Sequence, residues 1–367
     1  MTCEHPAVTS PAPTFLIAEA GVNHNGSQEL ACRLIEAAAA AGADAIKFQA
    51  FRTEELAALD APKARYQIAT TGAQESQFAM LRQLEFSADT FRHLAACCRE
   101  TGIDFLASPF DAASVRLLVE LGVSRLKLAS GEITNAQLLL AAARTDLPII
   151  LSTGMSSLGE IEAALGVLAF GYLGVQDKPG RRVFRDAFES DAGRDMLKQQ
   201  VTLLHCTTEY PAPLCDVNLR AMDTLRVAFG LPVGYSDHTA GIDVPIAAAA
   251  REAVVIEKHL TLDRSLPGPD HKASIEPDEF ARMVAAIRAV EQALGNGRKS
   301  AAASERGNRE IARRSLVAAR DIACGEAFDE GNLAARRPGA GIPAMDYHDW
   351  LGRTATRNYL KDEAILP

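Results

Sequence analysis

His238 and His259 each close a short apolar run, VGYSDHT and VIEKHLTL, and each lies two residues beyond another polar side chain, Ser236 and Glu257. Alternate residues of an extended strand share a face, so each histidine points the same way as the polar residue before it. On adjacent strands the two imidazoles can converge on one divalent cation. A closed structural zinc site uses four protein ligands, whereas two histidines suit an open site completed by water and substrate. Isolated histidines would more simply be hydrogen-bonded core residues; their common position at the ends of two runs favours the metal.

Lys47 and Lys127 lie inside the apolar runs AIKFQAF and RLKLASGE. Burying an unpaired ammonium is costly, so an anion should stand beside each. For one lysine a buried salt bridge to Glu19, Glu132 or Glu257 would serve. Two lysines together with Ser108, Ser130, Ser152 and Ser236, which end four of the runs, read instead as a pocket for a phosphate and a carboxylate. Glu19, Glu132 and Asp270 lie at run ends or in the loop after the last run, where they can bind sugar hydroxyls or transfer protons. The loop LPGPDHKAS (266–274) reads as a rigid binding loop, with His271 a candidate third metal ligand.

The elements that must position these residues are eight apolar runs, each ending in a polar cluster: LIAEAG, AIKFQAF, DFLASPF, RLKLASGE, PIILSTG, VTLLHCTTEYP, VGYSDHT and VIEKHLTL. Segments of helical periodicity fall between and after them, at 28–42, 88–101, 111–121, 135–145, 157–169, 217–228, 243–252 and 277–294. Apolar strands alternating with helices predict an α/β fold with a parallel sheet, and eight such units close into a (β/α)8 TIM barrel whose active site lies at the carboxyl ends of the strands. An open doubly wound sheet fits less well, because it gathers ligands at one switch point rather than at every strand end. Two connections are long. Residues 52–87 follow the second strand, so they lie on the catalytic face and form a candidate lid carrying Lys63, Tyr66 and Gln67. Residues 171–200 precede the sixth strand and read as a solvated insertion on the opposite face. The stretch GNGRKSAAASERGNRE breaks the pattern, dividing the chain into a catalytic barrel (1–294), a linker (295–312) and a small module (313–367) too short to bury much core alone.

Composition narrows the function. No apolar stretch approaches the roughly 18 residues of a membrane span. The opening MTCEHPAVTSPAPT has no apolar core of a secretory signal, so a cytoplasmic enzyme is expected. A net charge of -9 without a basic block argues against a nucleic-acid partner. Local lysines can still set the field of a cleft for a small anion. Seven cysteines, odd in number and without a C-x-x-C pair, read as reduced thiols rather than a disulfide framework or a structural zinc site.

Taken in order, IAEAGVNHNG, IKFQAF, KLASGE, ILSTGM, LLHCTTEYPAP, GYSDHTAG, IEKHLTLDRSLPGPDHKAS and RRPGAG make the chain, from about Phe15 onward, resemble the sialic acid synthase family, the bacterial nonulosonic acid synthases. The resemblance implies a barrel followed by an antifreeze-like (SAF, β-clip) domain, in a domain-swapped homodimer where that domain reaches over the partner's active site. It implies Mn2+ or Mg2+ on His238 and His259, and phosphoenolpyruvate on Lys47, Ser108, Lys127, Ser130, Ser152 and Ser236. The acceptor sugar would meet Glu19, Gln49, Glu132, Tyr210 and Asp270, with Arg337 of the partner subunit closing the site. Thr208 stands where members can carry Asn, and Ser108 where Thr is frequent. The implied reaction joins phosphoenolpyruvate to an open-chain N-acylmannosamine and releases phosphate by C–O cleavage. The CTTEYPAP and GPDHKAS versions, with the insertion before the sixth run, are more similar to legionaminic acid synthases than to the N-acetylneuraminate type. Other readings are a 3-deoxy-ulosonate synthase, which lacks the C-terminal module, a metal-dependent pyruvate aldolase, and a sugar- or ice-binding protein, which leaves the polar strand ends unexplained.

Overall fold

The computed structural model describes residues 12–72, 74–339 and 341–367. Cys3 and most of the N-terminal segment read for a signal lie outside them. Two compact units are present, the first ending at Gly295 and the second spanning Asn296–Pro367.

The first unit carries eight parallel strands: β1 (Phe15–Gly21), β2 (Ala45–Ala50), β3 (Asp104–Pro109), β4 (Leu126–Leu128), β5 (Ile149–Ser152), β6 (Val201–Cys206), β7 (Val233–Asp237) and β8 (Val255–His259). Their order, β3-β2-β1-β8-β7-β6-β5-β4, brings β1 against β8. Only the β3/β4 seam lacks ladder hydrogen bonds, although those strands also lie side by side, so the barrel is nearly closed. The helices are α1 (Gln28–Ala40), α2 (Thr53–Leu56), α3 (Arg65–Thr71), α4 (Gln77–Leu84), α5 (Ala88–Thr101), α6 (Ala112–Leu121), α7 (Ala136–Ala143), α8 (Leu158–Tyr172), α9 (Arg181–Glu189), α10 (Asp191–Gln200), α11 (Ala221–Phe229), α12 (Asp243–Ala250) and α13 (Pro277–Leu294).

Local sequence sets where the helices begin and end. Ser27, Ser87, Asp111, Asn135 and Ser157 each accept a hydrogen bond from the backbone N–H three residues on, capping α1, α5, α6, α7 and α8. Gly102 and Gly122 end α5 and α6 in the left-handed region, where a side chain is disfavoured.

Strand alternation then sorts side chains into two environments. Leu16, Ile46, Leu126, Leu151, Leu203 and Ile256 face outward and are fully buried in the main core between barrel and helices. Inside, Ile17, Ala45, Leu106, Ile150, Leu204 and Val255 form a separate apolar cluster. On β7 this layer is held by Gly234, where an added Cβ would stand 2.3 Å from the Val255 carbonyl oxygen. Two residues further along those strands the lumen turns polar: Glu19, Lys47, Ser108, Ser152, Ser236 and Glu257. Lys258 falls on the opposite parity from these and pairs with buried Asp237 at 2.6 Å.

The connection at 171–200 differs from the solvated insertion expected. It folds as α9 and α10, and Phe184 of α9 packs edge-on against Phe170 of α8 with ring centroids 5.2 Å apart. Gly166 permits the approach, since a Cβ there would lie 2.8 Å from the Phe184 carbonyl oxygen. Its mixed charge concealed the apolar face on which it docks.

In the second unit the stretch read as a linker contains a short helix, α14 (Arg306–Ala312). An antiparallel pair follows, β9 (Ser315–Ala318) and β10 (Leu333–Arg336), around a core of Leu316, Ile322, Phe328, Leu333, Tyr359 and Ile365. Among the described residues no helix is long and apolar enough to cross a membrane.

Candidate active site

A cavity of about 270 Å³ opens at the carboxyl ends of the strands. At its base, parity and register bring two lysines onto one carboxylate. Lys127 Nζ lies 3.1 Å from Glu257 Oε1 and Lys47 Nζ lies 3.6 Å from Glu257 Oε2. Ser236 donates to Glu257 at 2.9 Å, while Lys47 donates to Ser108 at 3.0 Å and also pairs with Glu19. Burial opposes the charge on Glu257, but Lys127 and Lys47 outweigh it and hold that carboxyl at about 2. For Glu19 burial wins over Lys47 and pushes the carboxyl up to about 7. Burial likewise opposes the charge of Lys47, yet Glu19 and Glu257 raise its pKa above the ordinary value. The base therefore holds two ammoniums, one firmly ionised carboxylate and one that takes up a proton near neutrality, an arrangement able to admit an anion.

On the β6–β8 side the cavity is aromatic. Tyr210 lies against His238 at a tilt of 33° with centroids 4.2 Å apart and meets His259 edge-on at 5.6 Å; the imidazole centroids are 5.5 Å apart. Burial drives the His238 imidazole down to about 4 and that of His259 well below its usual range, so both are neutral at pH 7. His238 Nδ1 lies 2.6 Å from the Thr207 carbonyl oxygen, which it can reach only as a donor. In the neutral ring Nε2 then carries the lone pair. His259 Nδ1 is buried with no hydrogen-bond partner. Neutral rings with available lone pairs fit a divalent cation. No group of three ligating atoms forms around them among the described residues, so the remaining positions would fall to water and substrate oxygens. Ser152 Oγ and Thr208 Oγ1 are also buried without partners. Of the nine such atoms among the described residues, five belong to residues that line this cavity.

The cavity gathers most of the residues singled out by sequence. Besides those above, Gln49, Ser130, Thr208 and Asp270 line it. Burial alone pushes the Asp270 carboxyl up to about 6. Ser130 Oγ lies 3.1 Å from Cys206 Sγ and accepts from Gly154 N at 3.0 Å. The candidate lid, α2 to α4, contributes Leu56, Tyr66, Gln67, Gln77 and Leu81 to the wall. Lys63 instead ties that segment together through Thr71, the Gly72 carbonyl and Glu75.

Other residues fall elsewhere. Glu132 is not among the lining residues; it sits half-buried on a turn and accepts from Asn135 at 2.7 Å. Arg337 belongs to the second unit, where it is exposed directly after β10. His271 is no metal ligand: its Nδ1 lies 2.7 Å from Thr261 Oγ1 and its Nε2 3.2 Å from Asn25 Oδ1. Asn25 also donates to the Pro267 carbonyl, which fastens the 266–274 loop to the turn after β1. Sequence reasoning missed Glu257 as a site residue, treating it only as a possible salt-bridge partner, although its parity with His259 carried the signal.

Residues 34–299 match the NeuB family, and residues 313–367 match the SAF domain. The chain is 49% identical over 352 residues to the N,N'-diacetyllegionaminic acid synthase of Campylobacter jejuni subsp. jejuni serotype O:2, covering 96% of this chain and 98% of that one. It is 42% identical to the N,N'-diacetyllegionaminic acid synthase of Legionella pneumophila subsp. pneumophila, with coverage of 96% and 93%. Among solved structures, the N-acetylneuraminic acid synthetase of Leptospira borgpetersenii serovar Hardjo-bovis superposes with a TM-score of 0.65 at 37% identity, covering 81% of this chain and 90% of that one.

Proposed function

The chain belongs to the NeuB family, and from that premise we propose that it condenses phosphoenolpyruvate with 2,4-diacetamido-2,4,6-trideoxymannose to give N,N'-diacetyllegionaminate and phosphate. It is an enzyme of the sialic acid synthase type, and the identities favour a legionaminic over a neuraminic product. The observation that carries the donor assignment is the sharing of Glu257 by Lys47 and Lys127 at the base of the cavity. Two fixed ammoniums beside Ser108, Ser152 and Ser236 suit a molecule bearing both phosphate and carboxylate.

In the proposed reaction C3 of phosphoenolpyruvate forms a bond to the aldehyde carbon of the open-chain sugar, whose oxygen takes up a proton. Water adds at C2, losing a proton, and the C2–O bond to phosphate breaks. Lys47 and Lys127 hold the donor and neutralise the departing phosphate. Glu19, poised near pH 7 beside Lys47, exchanges the proton. Tyr210 fixes the rings of His238 and His259, while Gln49, Tyr66, Thr208 and Asp270 face the sugar. Burial on the lid side excludes water from the aldehyde. A divalent Mn2+ or Mg2+ on His238 and His259 would polarise the aldehyde oxygen, an effect worth several kcal/mol. Cytoplasmic placement and a homodimer in which Arg337 of the partner subunit completes the sugar end belong to the same proposal.

Phosphate release from phosphoenolpyruvate across a panel of acceptor sugars tests it. The expected kcat/KM for 2,4-diacetamido-2,4,6-trideoxymannose is at least about tenfold above that for N-acetylmannosamine, and the reverse preference would overturn the acceptor. EDTA or His238→Ala should lower the rate roughly a thousandfold; activity indifferent to both would remove the metal.

A further inference from the structure

Outside the barrel, Cys32 on α1 faces His93 and Cys97 on α5. Cys32 Sγ and Cys97 Sγ are 3.4 Å apart, Cys97 Sγ is 3.6 Å from His93 Nε2, and all three ligating atoms lie within 4.8 Å of one another. Among the described residues no other trio of His, Cys, Asp or Glu side chains is assembled this closely. His93 and Cys97 are one turn apart on one helix face. Cys32 enters from the neighbouring helix, 65 residues away in sequence, which is why no C-x-x-C spacing announces the site.

The distances discriminate between a metal and a disulfide. A tetrahedral zinc ion with bonds of about 2.3 Å to sulfur and about 2.0 Å to nitrogen sets two sulfurs about 3.8 Å apart and a sulfur and a nitrogen about 3.5 Å apart. The sulfur–sulfur separation and the Cys97–His93 separation both lie within a few tenths of an ångström of those edges, and Cys32 and His93 come within 4.8 Å. A disulfide needs its sulfurs at about 2.05 Å and has no use for an imidazole. Thiolate ligands also select Zn2+ over the Mg2+ or Mn2+ that oxygen-rich sites hold. We propose that Cys32, His93 and Cys97 bind a zinc ion, with water as fourth ligand, at a second metal site separate from the catalytic cavity. Both cysteines are half-buried and His93 is exposed, so the ion enters from solvent. It clips together the helix that follows the Asn23–Gly26 turn and the helix that follows the lid, and the lid itself lines the cavity.

The test uses the full chain, reduced, stripped of metal and titrated with Co2+ and then Zn2+. Wild type should develop thiolate-to-cobalt charge-transfer absorption that Zn2+ abolishes, retain about one zinc per chain here after gel filtration, and gain thermal stability from it. Cys97→Ser and the exposed-site variant His93→Gln should both lose the absorption and at least about nine-tenths of that zinc, with kcat changed by less than about twofold. His238→Ala should keep the absorption. Its absence in wild type, its survival in Cys97→Ser, or recovery of Cys32 and Cys97 only as a disulfide under reducing conditions would each overturn the site.

Discussion

The two ends of the barrel lumen are built from the same strands at the same parity, yet they serve opposite purposes. Toward the amino ends, Ile17, Ala45, Leu106, Ile150, Leu204 and Val255 close the interior with apolar contact. One pleat further on, and two for His259, the side chains of Glu19, Lys47, Ser152, Glu257 and His259 are also buried but carry charge, unpartnered atoms and displaced pKa values. Burying apolar atoms stabilises the fold, at roughly 25 cal/mol per Å². Burying ionisable groups is costly unless they are paired, and at the mouth the pairing is incomplete. Stability is therefore concentrated at one end and chemical readiness at the other.

Substitutions at the two ends should separate these properties. The largest effect is expected from Lys127→Met, which removes one ammonium from the shared Glu257: kcat/KM should fall about a thousandfold, near 4 kcal/mol of transition-state stabilisation, in a chain that stays folded at the assay temperature because Lys47 still pairs with Glu257. Activity within about tenfold of wild type would end the assignment of donor binding to that lysine. At the other end Leu204→Ala should cost about 3 kcal/mol in denaturant unfolding while KM stays within about twofold. A shift in KM without loss of stability would show that the floor also shapes the pocket.

Asp270 gives the subtlest separation. Its folded pKa, raised from 3.8 to about 6 by burial, means that the folded chain keeps a proton the unfolded chain releases. That contribution is full below about pH 4 and is lost as pH rises through about 6. Asp270→Asn should abolish this slope and raise stability at pH 7 by about 3 kcal/mol while impairing turnover. Equal pH dependence in variant and wild type would show that Asp270 is not held as buried as its surroundings indicate.

Much of this was legible in the sequence because strand periodicity is local. The pairs Lys47/Gln49, Ser236/His238 and Glu257/His259 announced a common inward face before any fold was known. The floor was less legible, since Ile17 or Leu204 is as apolar as its outward neighbours and only curvature separates lumen from mantle. His271 looked like a ligand by type and place, but Thr261 and Asn25 occupy both its nitrogens. The insertion at 171–200 looked solvated because its charges outnumber the few aromatic residues that dock on α8.

By itself the sequence determined the alternation of strands and helices, the parity that turns polar side chains inward, and the caps that start the helices, all of which depend on residues within a few positions of one another. Tertiary structure decided what each inward side chain meets. Glu257 becomes the counter-ion of two lysines, Glu19 is held near neutrality, and Cys32 reaches His93 and Cys97, because strand register and helix packing bring distant residues within a few ångströms. Charge state, pKa and coordination all depend on such distances, and spacing along the chain does not fix them.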